Sequence, residues 1–334
     1  MTGGALLLVL CFIGNLSVGS VWIPAEEIWA WVFGSSFSKN SWETIIVHYR
    51  IPKAFTAILA GVGLSWSGLQ MQTFFRNPLA GPFVLGISAG AGLGVAILMM
   101  AGAAIGFSVE AGGFGAWHIV TAASVGSILV LLLVSAVAWK VKDSMTLLII
   151  GLMFGSAVSA LISVLAYFSE AERLKLFTIW SMGSLGSTQD GQVPVLALAM
   201  LLGTVPLLLH IKSYNAMLLG ENYAASMGIR INALRWAMIL STGILAGSVT
   251  AFCGPIAFIG IAVPHMARLV FKTGDHRILF PASALLGAIV LLVCDAISQL
   301  PGSAMTLPIN AVTSLVGAPM VIWLILRRNF SKEF

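Results

Sequence analysis

Charged residues are what this 334-residue chain has least of: 9% of it is Asp, Glu, Lys or Arg, against 59% hydrophobic residues. The mean hydropathy is +1.00. A soluble domain carries roughly 25% charged residues, so the deficit excludes a soluble globular fold and implies an integral membrane protein. The short alternating segments of a β-barrel are also missing. Cysteine is scarce. Cys11, Cys253 and Cys294 lie in or beside apolar runs, without disulfide or metal spacing, and read as small buried hydrophobes. No G-x-x-x-x-G-K-[ST] occurs; the one glycine near a Lys-Thr pair is Gly274, which follows Lys272 and Thr273. The chain therefore has no P-loop to cradle ATP and Mg, and its energy comes from a partner or an ion gradient. Ionisable residues at mid-span are nearly absent as well. That argues against an ion-coupled transporter, although a backbone-lined sodium site stays open. His265 lies near a span end, where hydrogen bonding is expected rather than proton transport.

What the chain does hold is apolar runs. A span needs about 20 apolar residues to cross ~30 Å of hydrocarbon, and about ten such runs are present: 3–19, 54–74, 83–102, 117–138, 146–168, 193–210, 232–252, 256–271, 278–298 and 309–327. This predicts an all-α, polytopic membrane protein forming one domain over residues 1–334. No Lys or Arg precedes Lys39, so the first run lacks the basic flank of a signal peptide and reads as a retained span. With both termini in the cytoplasm, the inner side holds Arg76, Lys140, Lys142, Lys212, Arg230, Arg235, Arg268, Lys272, Arg277, Arg327, Arg328 and Lys332, and the outer side only Lys39, Arg50, Lys53, Arg173 and Lys175. The inner excess matches the rule for cytoplasmic loops, so the net charge of +5 needs no nucleic acid. The spacings Gly86/Gly90/Gly94, Gly102/Gly106, Gly151/Gly155 and Gly243/Gly247 are those of close helix packing.

Two outer segments differ from the spans. Ser20–Tyr49 is rich in Trp and reads as an interfacial belt, and Leu174–Met182 is apolar but too short to cross. On the inner side, Ser213–Arg230 is polar and punctuated. Ser213 is expected to cap one short helix that Gly220 ends, and Glu221 to head a second, Asn222–Met227, that Gly228 ends. Such helices lie on the membrane face as a firm handle; the alternative is a plain solvated loop. Gly86-Ile87-Ser88-Ala89-Gly90 fits the nucleophile elbow, but it opens an apolar helix with no acid nearby, and packing explains it better. Prolines make a rigid corner after Arg76. Pro255 is expected to start a span, and Pro264 to interrupt it.

Several pieces occur in one order: Arg50-Ile51-Pro52-Lys53; Arg76-Asn77-Pro78-Leu79-Ala80; Leu85 to Gly90; Trp180-Ser181-Met182-Gly183; Leu219-Gly220-Glu221 with Ala224, Met227 and Gly228; Gly254-Pro255-Ile256-Ala257-Phe258-Ile259-Gly260 with Pro264, His265 and Arg268; and Gly317-Ala318-Pro319. From Arg50 onward the chain resembles the permease subunit of ABC importers for iron–siderophore, haem and cobalamin, the FecCD-type family. The resemblance implies a type II ABC importer permease fold of about ten helices in the bacterial inner membrane. It further implies a second copy of the chain, two cytoplasmic ATPase subunits that bind ATP and Mg, and one extracytoplasmic substrate-binding protein.

By the same resemblance, Leu219, Gly220, Glu221, Ala224, Met227 and Gly228 couple to the ATPase. Arg50 and Lys53, projecting beside an extended turn at Pro52, dock the binding protein. Ser144 stands near the gate, and Ser156, Ser159, Thr313 and Ser314 line the path. Asn77, Pro78, Gly254, Pro255, Gly260, Pro264, His265 and Arg268 are structural motif positions, and no metal is held. The expected cargo is an iron chelate, with haem or cobalamin as alternatives; the rivals of other classes are an ion-coupled secondary transporter and an oligomeric channel. Three features depart from the family: Lys53 where Arg is common, Ser298-Gln299 where relatives can carry a basic residue, and no basic tail before the first span.

Overall fold

The computed structural model describes residues 2–102, 115–141, 144–188, 191–299 and 305–328. Along these the chain forms α1 (Thr2–Ser17), α2 (Ala25–Val32), α3 (Asn40–Ile45), α4 (Ile51–Phe74), α5 (Ile87–Ala96), α6 (Ala116–Lys140), α7 (Ser144–Tyr167), α8 (Ala171–Ser181), α9 (Gln192–Leu209), α10 (Ile211–Met217), α11 (Glu221–Ser226), α12 (Ile231–Cys253), α13 (Ile259–Phe271), α14 (His276–Ser298) and α15 (Ile309–Arg328). Among the described residues, six helical runs are long and apolar enough to cross a membrane, and four shorter apolar helices accompany them. Together they occupy the ten runs read from the sequence.

Helix α4 is the hub. It packs on α12, α13 and α14, while α1 lies against α14 and α9 against α12. Helices α5, α6 and α7 form a second group joined through α12. In lipid no hydrophobic force drives one apolar helix onto another, so contact depends on close approach and polar ties. A Cβ on Gly61 would overlap the carbonyl of Gly287, and one on Gly68 the carbonyl of Gly260. Among the expected glycine pairs, Gly90 and Gly94 press on α6 in this way, while Gly155 faces open space; Gly106 lies outside the described residues.

Three expectations about the spans are corrected. The approach to α4 is not an extended turn: Asn40–Phe74 is one 35-residue helical run, with a π-turn at Ile46–Arg50. Pro52 has no N–H and its ring crowds the carbonyl four residues back; the wider turn, in which the Ile51 amide donates to Ile46, absorbs that. The third run opens with a 3-10 turn at Pro82–Leu85 and then Gly86 at φ +71°, before α5 begins. The eighth run does not start beside Pro255; α13 begins at Ile259 and carries Pro264 inside it. The break lies upstream, at Gly254–Phe258.

That break is beside the middle of α4, because Val249 meets Gly63 and Gly260 meets Gly68. Non-helical backbone at such depth needs internal partners, and it has them. The Ser184 amide donates to the Cys253 carbonyl (2.8 Å) and the Ala257 amide to Asn310 Oδ1 (3.0 Å). Gly254 has φ +71°, and a Cβ there would lie 2.6 Å from the Trp180 carbonyl oxygen, so both conformation and space require glycine.

Candidate coupling and docking sites

Between α9 and α12 the chain makes the two short helices expected, with shifted ends. Helix α10 starts at Ile211, so Ser213 lies in its first turn and caps nothing. Gly220 is not a left-handed stop; at φ +117° and ψ 149° it is an extended link preceding α11. Gly228, at φ +83°, does follow the end of α11. Glu221 is the first residue of α11 and accepts from Arg235 at 2.7 Å, which ties α11 to α12. Ala224 is buried, whereas Leu219, Tyr223 and Met227 are exposed. The pair therefore turns Ala224 inward, ties down its one acid, and leaves Leu219, Tyr223, Met227 and Gly228 on its outer surface.

What fixes this handle is a buried polar chain that sequence reasoning missed. The Tyr214 hydroxyl donates to Gln70 Oε1 (2.7 Å), Gln70 Nε2 to Ser241 Oγ (3.0 Å), and Ser241 Oγ to the Gly203 carbonyl (2.7 Å). Asn215 Nδ2 donates to Asp275 Oδ1 (2.6 Å), and Asn215 Oδ1 accepts from the His276 amide (2.8 Å). The His276 ring meets Thr73 Oγ1 at 2.8 Å. Helix α10 is thus pinned to α4 and to the start of α14, and Gln70 carries the tie on to α12 and α9. Burial pushes the Tyr214 phenol up, so it stays a neutral donor. The Arg277 amide, and then the Asn215 side chain, hold the Asp275 carboxyl below the usual carboxylate range. The available signal was the polar run Gln70, Gln72 and Thr73 closing an apolar span.

Beside this chain, the motif residues build a corner. Arg76 has φ +47°, and Asn77 Oδ1 accepts from the Leu79 amide (2.9 Å) across Pro78. Arg268 donates to Gln72 Oε1, whose Nε2 in turn donates to the Ile261 carbonyl (3.1 Å). Between α4, α10 and α13 lies a cavity of about 290 Å³, into which Arg76, His265 and Arg268 all face.

At the opposite end, Arg50 and Lys53 do not project as expected. Arg50 is 7% exposed and donates to the carbonyls of Leu16, Ser17 and Val21, closing α1 and its following loop onto α4. Lys53 Nζ lies 2.9 Å from Asp295 Oδ1, and that carboxylate also accepts from Asn15 (2.9 Å) and Gln299 (3.0 Å). A guanidinium and an ammonium at half-buried helix ends take nearby acceptors rather than face the membrane surface unpaired.

Of the path residues, Ser156 and Ser159 are exposed on α7, each donating to its own helix four residues back. Ser314 is half-buried. Thr313 is 1% exposed and points into the protomer, which corrects its placement on the path. Ser144 is the first residue of α7; its side chain lies outside the described ones.

Helices α7 and α15 leave much of their apolar surface open, with Met145, Ile149, Leu152, Met153, Leu315 and Ile322 exposed. The sequence matches the FecCD transport family over residues 6–327. The chain belongs to that family. Among curated relatives of this FecCD-family chain, the hemin transport system permease protein HmuU of Yersinia pestis is 32% identical over 325 residues, covering 97% of this chain and 94% of that protein. The vitamin B12 import system permease protein BtuC of Klebsiella pneumoniae is 35% identical, covering 97% and 92%. A metal-chelate type ABC transporter solved in an inward-facing conformation superposes with a TM-score of 0.84 at 27% identity, covering 98% of each chain. The PsaBC structure from Streptococcus pneumoniae shares the fold, with a TM-score of 0.57 at 16% identity. The chain is a membrane-spanning ABC importer permease, a transport component.

Proposed function

We propose that the chain is one half of a homodimeric permease of the bacterial inner membrane, and that it passes an iron chelate. Two cytoplasmic ATPase subunits, which bind ATP and Mg, drive it at the α10–α11 end. A binding protein feeds it at the Arg50 end, and both termini are cytoplasmic. The observation that carries the reading is the face of α7 and α15. Apart from Asn310 and the terminal Tyr167, Arg327 and Arg328, these helices hold only apolar and aliphatic hydroxyl side chains, and much of their surface is exposed in the single chain. A second copy covers part of such a face, and the remainder offers a bulky chelate little to hold it. Haem or cobalamin is the second reading, favoured by the substrates in the names of the two curated relatives.

The test is transport in proteoliposomes holding the permease, its ATPase and its binding protein, offered a ferric siderophore, hemin and cobalamin in turn. ATP-dependent uptake of the binding protein's own ligand, changing when that protein is exchanged, is expected. Uptake driven by a proton or sodium gradient without ATP would restore the secondary-transporter reading.

A further inference from the structure

The cavity between α4, α10 and α13 carries a charge that the transport reading does not use. Arg76, Arg268 and His265 line it with Gln72, Met217 and Leu218, and among the described residues no Asp or Glu lines it. Arg268 donates to a neutral amide, Gln72. The Arg76 guanidinium lies along the link between α10 and α11, where a Cβ on Gly220 would be 3.4 Å from it. Arg76 is exposed and Arg268 half-buried; two like charges facing one space repel, and an anion between them relieves that. Forked donors arriving from two helices suit the several oxygens of a phosphate. The cavity, of about 290 Å³, leaves room beyond one phosphate for the glycerol of a headgroup. It stands at the last turns of α4 and α13, the headgroup level of a bilayer, where basic pockets between spans take anionic lipids. Leu269 and Val270, next to Arg268, are exposed where acyl chains would run.

We propose that this cavity binds the phosphate of an anionic phospholipid headgroup, held between Arg76 and Arg268. The bound headgroup ties α10 to α4 and α13 and so stiffens the handle from the membrane side. This rests on the membrane-spanning reading alone; lipid binding needs no transport, so a wrong cargo leaves it standing.

The experiment is native mass spectrometry of the full chain in detergent, titrated with phosphatidylglycerol or phosphatidylcholine. At least ten-fold tighter retention of phosphatidylglycerol is expected. Arg76→Gln should bring it to the phosphatidylcholine level without lowering the Tm of lipid-free protein, since Arg76 is exposed. Arg268→Gln also loses the Gln72 contact and is judged by the ratio of the two lipids alone. Equal retention of both lipids by the wild type, or an unchanged ratio in both variants, overturns the proposal. So does an Arg76-dependent rise in Tm with inorganic phosphate that equals the rise with phosphatidylglycerol, which would make free phosphate the ligand. If instead Arg76→Gln weakens ATPase binding and leaves the lipid ratio intact, the cavity receives a protein carboxylate and the lipid assignment fails.

Discussion

At the scale of single residues, the basic side chains of the Arg50 end show how an ion pair changes a role. Lys53 faces a carboxylate that is 1% exposed and has two further donors, Asn15 and Gln299. Removing one partner of a buried pair costs about 3–5 kcal/mol, because the other charge is left unpaired; Lys53 is partly exposed, which favours the low end. Asp295→Ala should therefore lower the unfolding free energy by about 3 kcal/mol, and a double-mutant cycle with Lys53→Met should recover much of that loss. The pair also bears on docking. Asp295→Asn keeps an acceptor near Lys53 but frees its charge. If Lys53 meets acids of the binding protein, affinity in nanodiscs should rise several-fold at low salt and converge with wild type as salt screens the contact. Affinity equal to wild type across the salt series would leave Lys53 as a tie between α4 and α14. That Arg50 and Lys53 mattered was legible, since basic residues are rare here; their partners were not, because Asp295 belongs to a helix far along the chain.

At the scale of elements, the α10–α11 pair is a rigid lever because its apolar inner face is packed and its two inward polar side chains, Tyr214 and Asn215, are both partnered. Tyr214→Phe leaves Gln70 Oε1 without its 2.7 Å donor, and an unsatisfied buried acceptor costs about 1–3 kcal/mol. Gly220 sits at φ +117°, where a β-branched residue is strained. Gly220→Val should leave expression and the bundle intact and reduce co-purification with the ATPase; Tyr214→Phe should keep assembly and lower substrate-stimulated hydrolysis. Wild-type assembly and stimulation in both variants would return the segment to a plain loop. The two helices, and Gly228 after the second, were legible from punctuation alone; the extended link at Gly220 was not. Their starts lie three residues before the one a Ser213 cap implies and one before Asn222, because tertiary hydrogen bonds through Asn215 and Tyr214, and no side-chain cap, hold the first helix.

For the whole molecule, energy and cargo enter from outside the chain. It has no P-loop, and the purified chain should neither bind nor hydrolyse ATP, with turnover appearing only when the ATPase is added. Robust turnover by the clean subunit alone would contradict its place as a transport component. The open face of α7 and α15 predicts that the chain runs as a dimer in mild detergent, measured by light scattering.

The class of the protein and its ten apolar runs follow from composition, because a bilayer leaves helices as the way to satisfy the backbone of so apolar a chain. The family follows from the order of its short motifs. Local propensity does not reach the internal break at Gly254–Phe258, the inward turn of Arg50 and Thr313, or the cluster of Arg76 with Arg268. Each of these depends on which distant backbone comes close enough to offer an acceptor or leave a cavity, and that is set by how the helices pack around α4.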